Sequence, residues 1–140
     1  MTGGGIEKMK NTYEFYTDIN DISLIEEDGE QVVYLTKQRN WGGINVGIEN
    51  NLVEHFEDLK EMFLDMATHF VAMDQEVACY CRDKLGWKLD AEPAYVFLEE
   101  EDLLSIVYWQ NGVNNEFSVS FRYVDNQFVL DDFNGHGIIK

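Results

Sequence analysis

The sequence predicts an α+β fold: an antiparallel sheet, made of N-terminal strands plus a C-terminal meander, with two central helices packed on one face. Three observations predict it. Residues 51–85 place apolar side chains at three- and four-residue steps, the period of a helix with one buried face. Residues 44–49 and 117–123 alternate apolar with polar, the period of a half-buried strand. Turn dipeptides, Asn111-Gly112 and Asp125-Asn126, separate the later apolar runs. Strands, then helices, then strands is the order expected when helices segregate to one side of an antiparallel sheet.

Taken in order, residues 1–12 read as a flexible lead, because Gly3-Gly4-Gly5 offers nothing to pack, and residues 13–140 read as a single domain. Residues 13–49 are strand-like. Tyr13 and Phe15 flank Glu14, and Glu30 to Thr36 is rich in β-branched and aromatic residues behind the turn signal Glu27-Asp28-Gly29. Ile44, Val46 and Ile48 then face one way, with Asn45, Gly47 and Glu49 facing the other. In the helical region Leu52, Phe56, Leu59, Phe63, Met66, Phe70, Met73, Val77, Cys81 and Leu85 form the apolar stripe. Asn50 or Asn51 is placed to cap the start, with Glu54 as a capping-box acid, and Gly86 suits the C-terminal cap. A single helix of that length is long for the domain, so a break is expected near Met73-Asp74, with Asp74 capping a second helix. Beyond it, Ala94 to Leu98, Leu103 to Gln110, Phe117 to Tyr123 and Gln127 to Leu130 form the meander. Its outer face carries Ser118, Ser120 and Arg122, solvated or open to a partner.

Charge narrows the function. The 140 residues hold 27 acidic and 10 basic side chains, a formal net charge of -17. Such a surface repels phosphate backbones and anionic lipid, so nucleic acid and membrane are not expected partners. The N-terminus lacks the apolar core of a signal peptide, and the expected compartment is the cytoplasm. A hydrophobic fraction of 45% separates the chain from disordered acidic tails. Cys79 and Cys81 are too close in sequence to bridge readily and read as reduced thiols.

No motif announces a reaction. His55 and His69 would stand about 21 Å apart on a continuous helix, too far to share a metal. Asp65 lies four residues before His69, spaced for a surface pair. His136 with Asp131 and Asp132 is a thin ligand set beside the calcium-loop pattern. No catalytic residue, metal or cofactor is assigned. The distinctive feature is the acid: Glu26-Glu27-Asp28, the tip Glu99-Glu100-Glu101-Asp102, the strand end Asp131-Asp132, and a helix stripe of Glu54, Glu57, Asp58, Glu61 and Asp65. Solubility needs a net charge of only about 2–8 in magnitude, so the surplus argues for recognition of a basic partner. The candidate contact residues are Glu99, Glu100, Glu101, Asp102, Asp131, Asp132, Glu54, Asp58 and Glu61. Trp41, beside Gly42-Gly43, is a candidate aromatic anchor, and Trp109 or Tyr108 could serve likewise.

The order strand–strand, two helices, meander, together with Glu116-Phe117-Ser118-Val119-Ser120-Phe121-Arg122-Tyr123 and Asn126-Gln127-Phe128-Val129-Leu130-Asp131-Asp132, resembles the small acidic immunity proteins of bacterial polymorphic toxin and contact-dependent inhibition systems, and bacterial domains grouped with them. The resemblance implies a non-enzyme that binds and blocks a cognate toxin, often a basic nuclease. Two other readings stay open: a scaffold or regulatory module for a basic peptide or protein, and a metal-dependent small-ligand enzyme.

Overall fold

A computed structural model describes residues 13–37, 44–86, 88, 93–110 and 115–134. The lead at 1–12, Trp41, the turn at 111–112 and His136 lie outside these, as does the Trp109 side chain. One seven-stranded sheet runs through the chain in sequence order: β1 (Ser23–Glu27), β2 (Glu30–Tyr34), β3 (Asn45–Ile48), β4 (Pro93–Glu100), β5 (Leu103–Gln110), β6 (Asn115–Val124) and β7 (Gln127–Asn134). Between β3 and β4 the chain leaves the sheet as a helix, α1 (Phe56–Tyr80), of 25 residues.

The α+β class holds, with two corrections. First, β3 and β4 pair in parallel, so the sheet is mixed rather than antiparallel. The helix between them carries the chain back along the sheet, and β4 must restart at the end where β3 began. Second, the described helical region is continuous. A 3₁₀ stretch at Asn50–His55 leads into α1, and a π-helical stretch at Cys81–Leu85 follows it. The expected break at Met73-Asp74 does not occur because both residues face the sheet. Met73 is buried, and Asp74, only 1% exposed, accepts the Tyr108 hydroxyl at 2.6 Å instead of capping a new helix. The Asn50 and Asn51 cap is also replaced. Glu49 stands at the N-cap of the 3₁₀ stretch without a side-chain bond, and its carbonyl accepts from Leu52 N–H at 2.9 Å. Gly86 ends the helix as expected, at φ 76°, with its N–H bonded to the Cys81 carbonyl.

Cross-strand register builds two unlike faces from adjacent residues. Leu24, Val33, Val46, Val96, Ile106, Val119 and Phe133 stand in one row across all seven strands, facing α1. Phe56, Leu59, Phe63, Met66, Phe70, Met73 and Val77 of the helix close over them. One residue along, Ile25, Val32, Gly47, Phe97, Ser105, Ser120 and Asp132 make the matching row on the face without a helix. A ladder of rings, Tyr80–Phe133–Phe117–Tyr108, stacks at centroid spacings of 5.0, 5.1 and 5.0 Å and ties the helix end to the last strands. Among the described residues, no helix is long and apolar enough to cross a membrane. Cys79 and Cys81 form no disulfide.

Candidate functional site

Strand direction gathers the clusters Glu26-Glu27-Asp28 and Glu99-Glu100-Glu101-Asp102 at one end, while Asp18, Asp21 and Asp83 lie at the other. The β1–β2 turn, the exit of β3 into the helix, the β4–β5 turn and the β6–β7 turn all fall at the same end of the sheet. Two of these turns are tight two-residue hairpins with positive φ at both central residues: Asp28 (52°) and Gly29 (82°), then Asp125 (53°) and Asn126 (63°). The helix also starts here, so Glu57 and Asp58 sit in its first turn, where the N–H-rich end of the helix favours negative charge. Arg82 and Lys84 lie in the last helical turn at the far end.

Within the acidic end, a cleft of about 360 Å³ opens between the helix and the two later hairpins. Asp58 and Glu61 come from the helix; Glu101 and Asp102 come from the β4–β5 turn; Tyr123 and Asn126 come from the β6–β7 hairpin; Leu59 and Met62 form its apolar base. No Lys or Arg is among the described residues that line it. His55 stands at its mouth, with Nε2 3.7 Å from Glu54 and 3.9 Å from Glu101.

The walls are braced. Tyr123 donates its hydroxyl to Asp65, and its backbone N–H bonds the Asp102 carbonyl at 2.9 Å. Burial, then the bond and charge of Asp65 and the charge of Glu61, push the Tyr123 hydroxyl up to about 12, so it remains a donor through the physiological range. Outside the cleft, Arg122 gathers three carboxylates: Asp102 at 3.0 Å, Glu100 at 3.6 Å and Asp131 at 3.8 Å. Partial desolvation works against its charge, but Asp102, Asp131 and Glu100 outweigh it and hold the guanidinium above its ordinary value.

The structure therefore sorts the sequence candidates. Asp58, Glu61, Glu101 and Asp102 share the cleft, with Glu54 beside it through His55. Glu100 and Asp131 are tied into Arg122. Glu99 faces the helix-free side of the sheet, where Ser105 Oγ donates to it at 2.6 Å, and Asp132 lies on β7 opposite Ser120. Tyr108 is fully buried and offers no surface as an anchor. Sequence reasoning missed Tyr123, Asn126 and His55 as cleft residues. Tyr123 and Asp65 are far apart in the chain, and no local pattern signals that they meet. Among the described residues no group of His, Cys, Asp and Glu could hold a metal ion. Chemically, the cleft is a set of acceptors suited to guanidinium and ammonium donors. No family model matches the chain, and no curated protein or solved structure is significantly similar to it.

Proposed function

We propose that the protein is a non-enzymatic immunity protein: it binds a cognate basic bacterial toxin, of nuclease type, in the cytoplasm and neutralises it with its acidic end. The observation that carries this reading is the convergence of Asp58, Glu61, Glu101 and Asp102 on one cleft lined by no Lys or Arg among the described residues. Holding like charges together costs stability, and Arg122 on Asp102 and His55 near Glu101 offset it only in part. A cationic ligand does. A nuclease cleft is rich in Lys and Arg that hold phosphate, and carboxylates braced in a fixed wall can take phosphate's place. Collecting the charge at one end also orients the encounter, so association should be fast and salt-sensitive.

The test is capture of the partner from a lysate of the source bacterium, with affinity measured for the wild type and for Asp58→Lys/Glu61→Lys/Glu101→Lys. The expected partner is a basic toxin domain bound with an affinity on the order of nanomolar. The triple variant should weaken binding at least a hundredfold while circular dichroism stays native. A folded triple variant that binds as well as the wild type would remove the cleft from the interface. A neighbouring gene encoding a toxin with a variable C-terminal domain supports the immunity role over a general scaffold.

A further inference from the structure

The helix-free face of the sheet holds a second, larger groove, of about 700 Å³, within the size range of ligand sites. Its floor is apolar: Val32, Phe97 and Val107, with Tyr95 standing 52% exposed beside them. Gly47 makes the floor possible. A Cβ there would sit 2.8 Å from Phe97 Cδ1, so the absent side chain lets the Phe97 ring lie across β3. One end of the groove is acidic by register. Val32, Gly47 and Phe97 share a row, and the acids of the lining, Glu30 on β2 and Glu99 on β4, stand two residues nearer the hairpin tips. Neighbouring strands lie about 4.8 Å apart, so these two like charges stand on either side of β3. Glu99 sits at an irregularity in the β4–β5 ladder and is held by the Oγ of Ser105, a residue only 3% exposed. No Lys or Arg is among the described lining residues.

We infer that this groove is a second docking surface for the basic partner and takes one of its arginine side chains. The stem lies on Phe97, Val107 and Val32, and the guanidinium meets Glu99 and Glu30. Arginine fits both halves: its methylene stem covers apolar surface, its planar head stacks on rings, and its fork of N–H donors matches carboxylates. The groove continues the acidic end onto a new face, so a partner gripping the hairpin tips reaches it. The inference rests on the proposed function for the identity of the partner, but not for the chemistry of the groove.

The blocked dipeptide Ac-Leu-Arg-NH2 tests that chemistry directly, titrated into isotope-labelled protein and followed by amide chemical shifts. Its citrulline counterpart, neutral but nearly isosteric, is the control. Expected are saturable shifts at Val32, Tyr95, Phe97 and Val107, with binding about tenfold weaker for the citrulline peptide and for Glu30→Gln/Glu99→Gln. Equal binding of the two peptides, or shifts confined to Asp58 and Glu61, overturns the inference. So does a groove that shifts on raising protein concentration alone, which assigns the face to a second copy. The double variant leaves the cleft carboxylates in place. If peptide binding follows the groove variants while toxin binding ignores the cleft variants, the groove stands and the cleft reading falls; the reverse pattern rejects the groove alone.

Discussion

Replacing Tyr108 by Phe tests the bond that keeps the helix unbroken. Tyr108 projects from β5 to the helix, stacks on Phe117 at 5.0 Å, and donates its hydroxyl to Asp74, itself 1% exposed. The substitution keeps the ring and removes one oxygen. Asp74 loses a donor in a place water does not reach, and such losses cost about 1–3 kcal/mol, towards the upper end for a charged acceptor. A loss of about 2 kcal/mol at pH 7 is expected in urea denaturation followed by circular dichroism. The pH profile adds a readout that packing alone would not move. Burial first, then the charge of Asp74 and its hydrogen bond, hold the Tyr108 hydroxyl well above the ordinary 10.0. Its folded value is raised, so its contribution is complete below pH 10 and is lost as pH climbs towards the folded value. Over that window one such group contributes a slope of up to about 1.4 kcal/mol per pH unit. Tyr108→Phe should therefore be less stable at neutral pH yet fall less steeply above pH 10. Tyr123 leaves a smaller alkaline dependence in both proteins. A variant within about 0.5 kcal/mol of wild type, with the same alkaline slope, would refute the account of Asp74 as a core acceptor.

Three further substitutions probe the frame around the sites. Gly86→Ala places a Cβ in open space but at φ 76°, so only backbone strain is felt, and a loss of about 1 kcal/mol is expected in the same assay. Gly47→Val forces the Phe97 ring off β3 and should cost about 1–2 kcal/mol despite the favourable β propensity of Val; an unchanged denaturation midpoint counts against the close approach. Arg122→Gln frees Glu100, Asp102 and Asp131 to repel one another, so the urea midpoint should fall in dilute buffer by an amount that shrinks when salt is added.

Patterns with a short period were legible in the sequence, and contacts set by register were not. The apolar stripe was readable because each member repeats within one or two turns, and its members from Leu52 to Cys81 are all buried; Leu85, the last expected member, lies in the π-helical stretch beyond α1 and is exposed. The hairpin turns at Asp28-Gly29 and Asp125-Asn126 were readable because left-handed backbone needs Gly, Asn or Asp. The break at Met73-Asp74 was wrongly expected because Asp is a common cap; only the arrival of Tyr108 from β5 reveals why an acid sits there. The parallel β3–β4 pair followed from the merging of two helices into one crossover. Of the candidate site, the acidic clusters were visible one by one. Their gathering at one end was not, because it depends on the direction of every strand.

That gathering sets two salt responses of opposite sign. In the free protein, Glu30 and Glu99 line one groove and Asp58, Glu61, Glu101 and Asp102 line the cleft, and such like charges repel over a Debye length of about 10 Å at 0.1 M salt. Of these, Asp102 is relieved by Arg122 at 3.0 Å, while Lys60 is drawn to Glu57 at 3.4 Å. Raising NaCl from roughly 0.05 to 0.5 M shortens the screening length and should stabilise the fold by about 1 kcal/mol, seen as a higher urea midpoint. Paired surface charges would give the reverse, since salt weakens attraction as readily as repulsion. The same salt should slow association with a basic partner, because the field that destabilises the free chain is the one that draws the partner in. If the midpoint falls with NaCl, the acidic end is internally compensated, and surplus charge no longer argues for a partner.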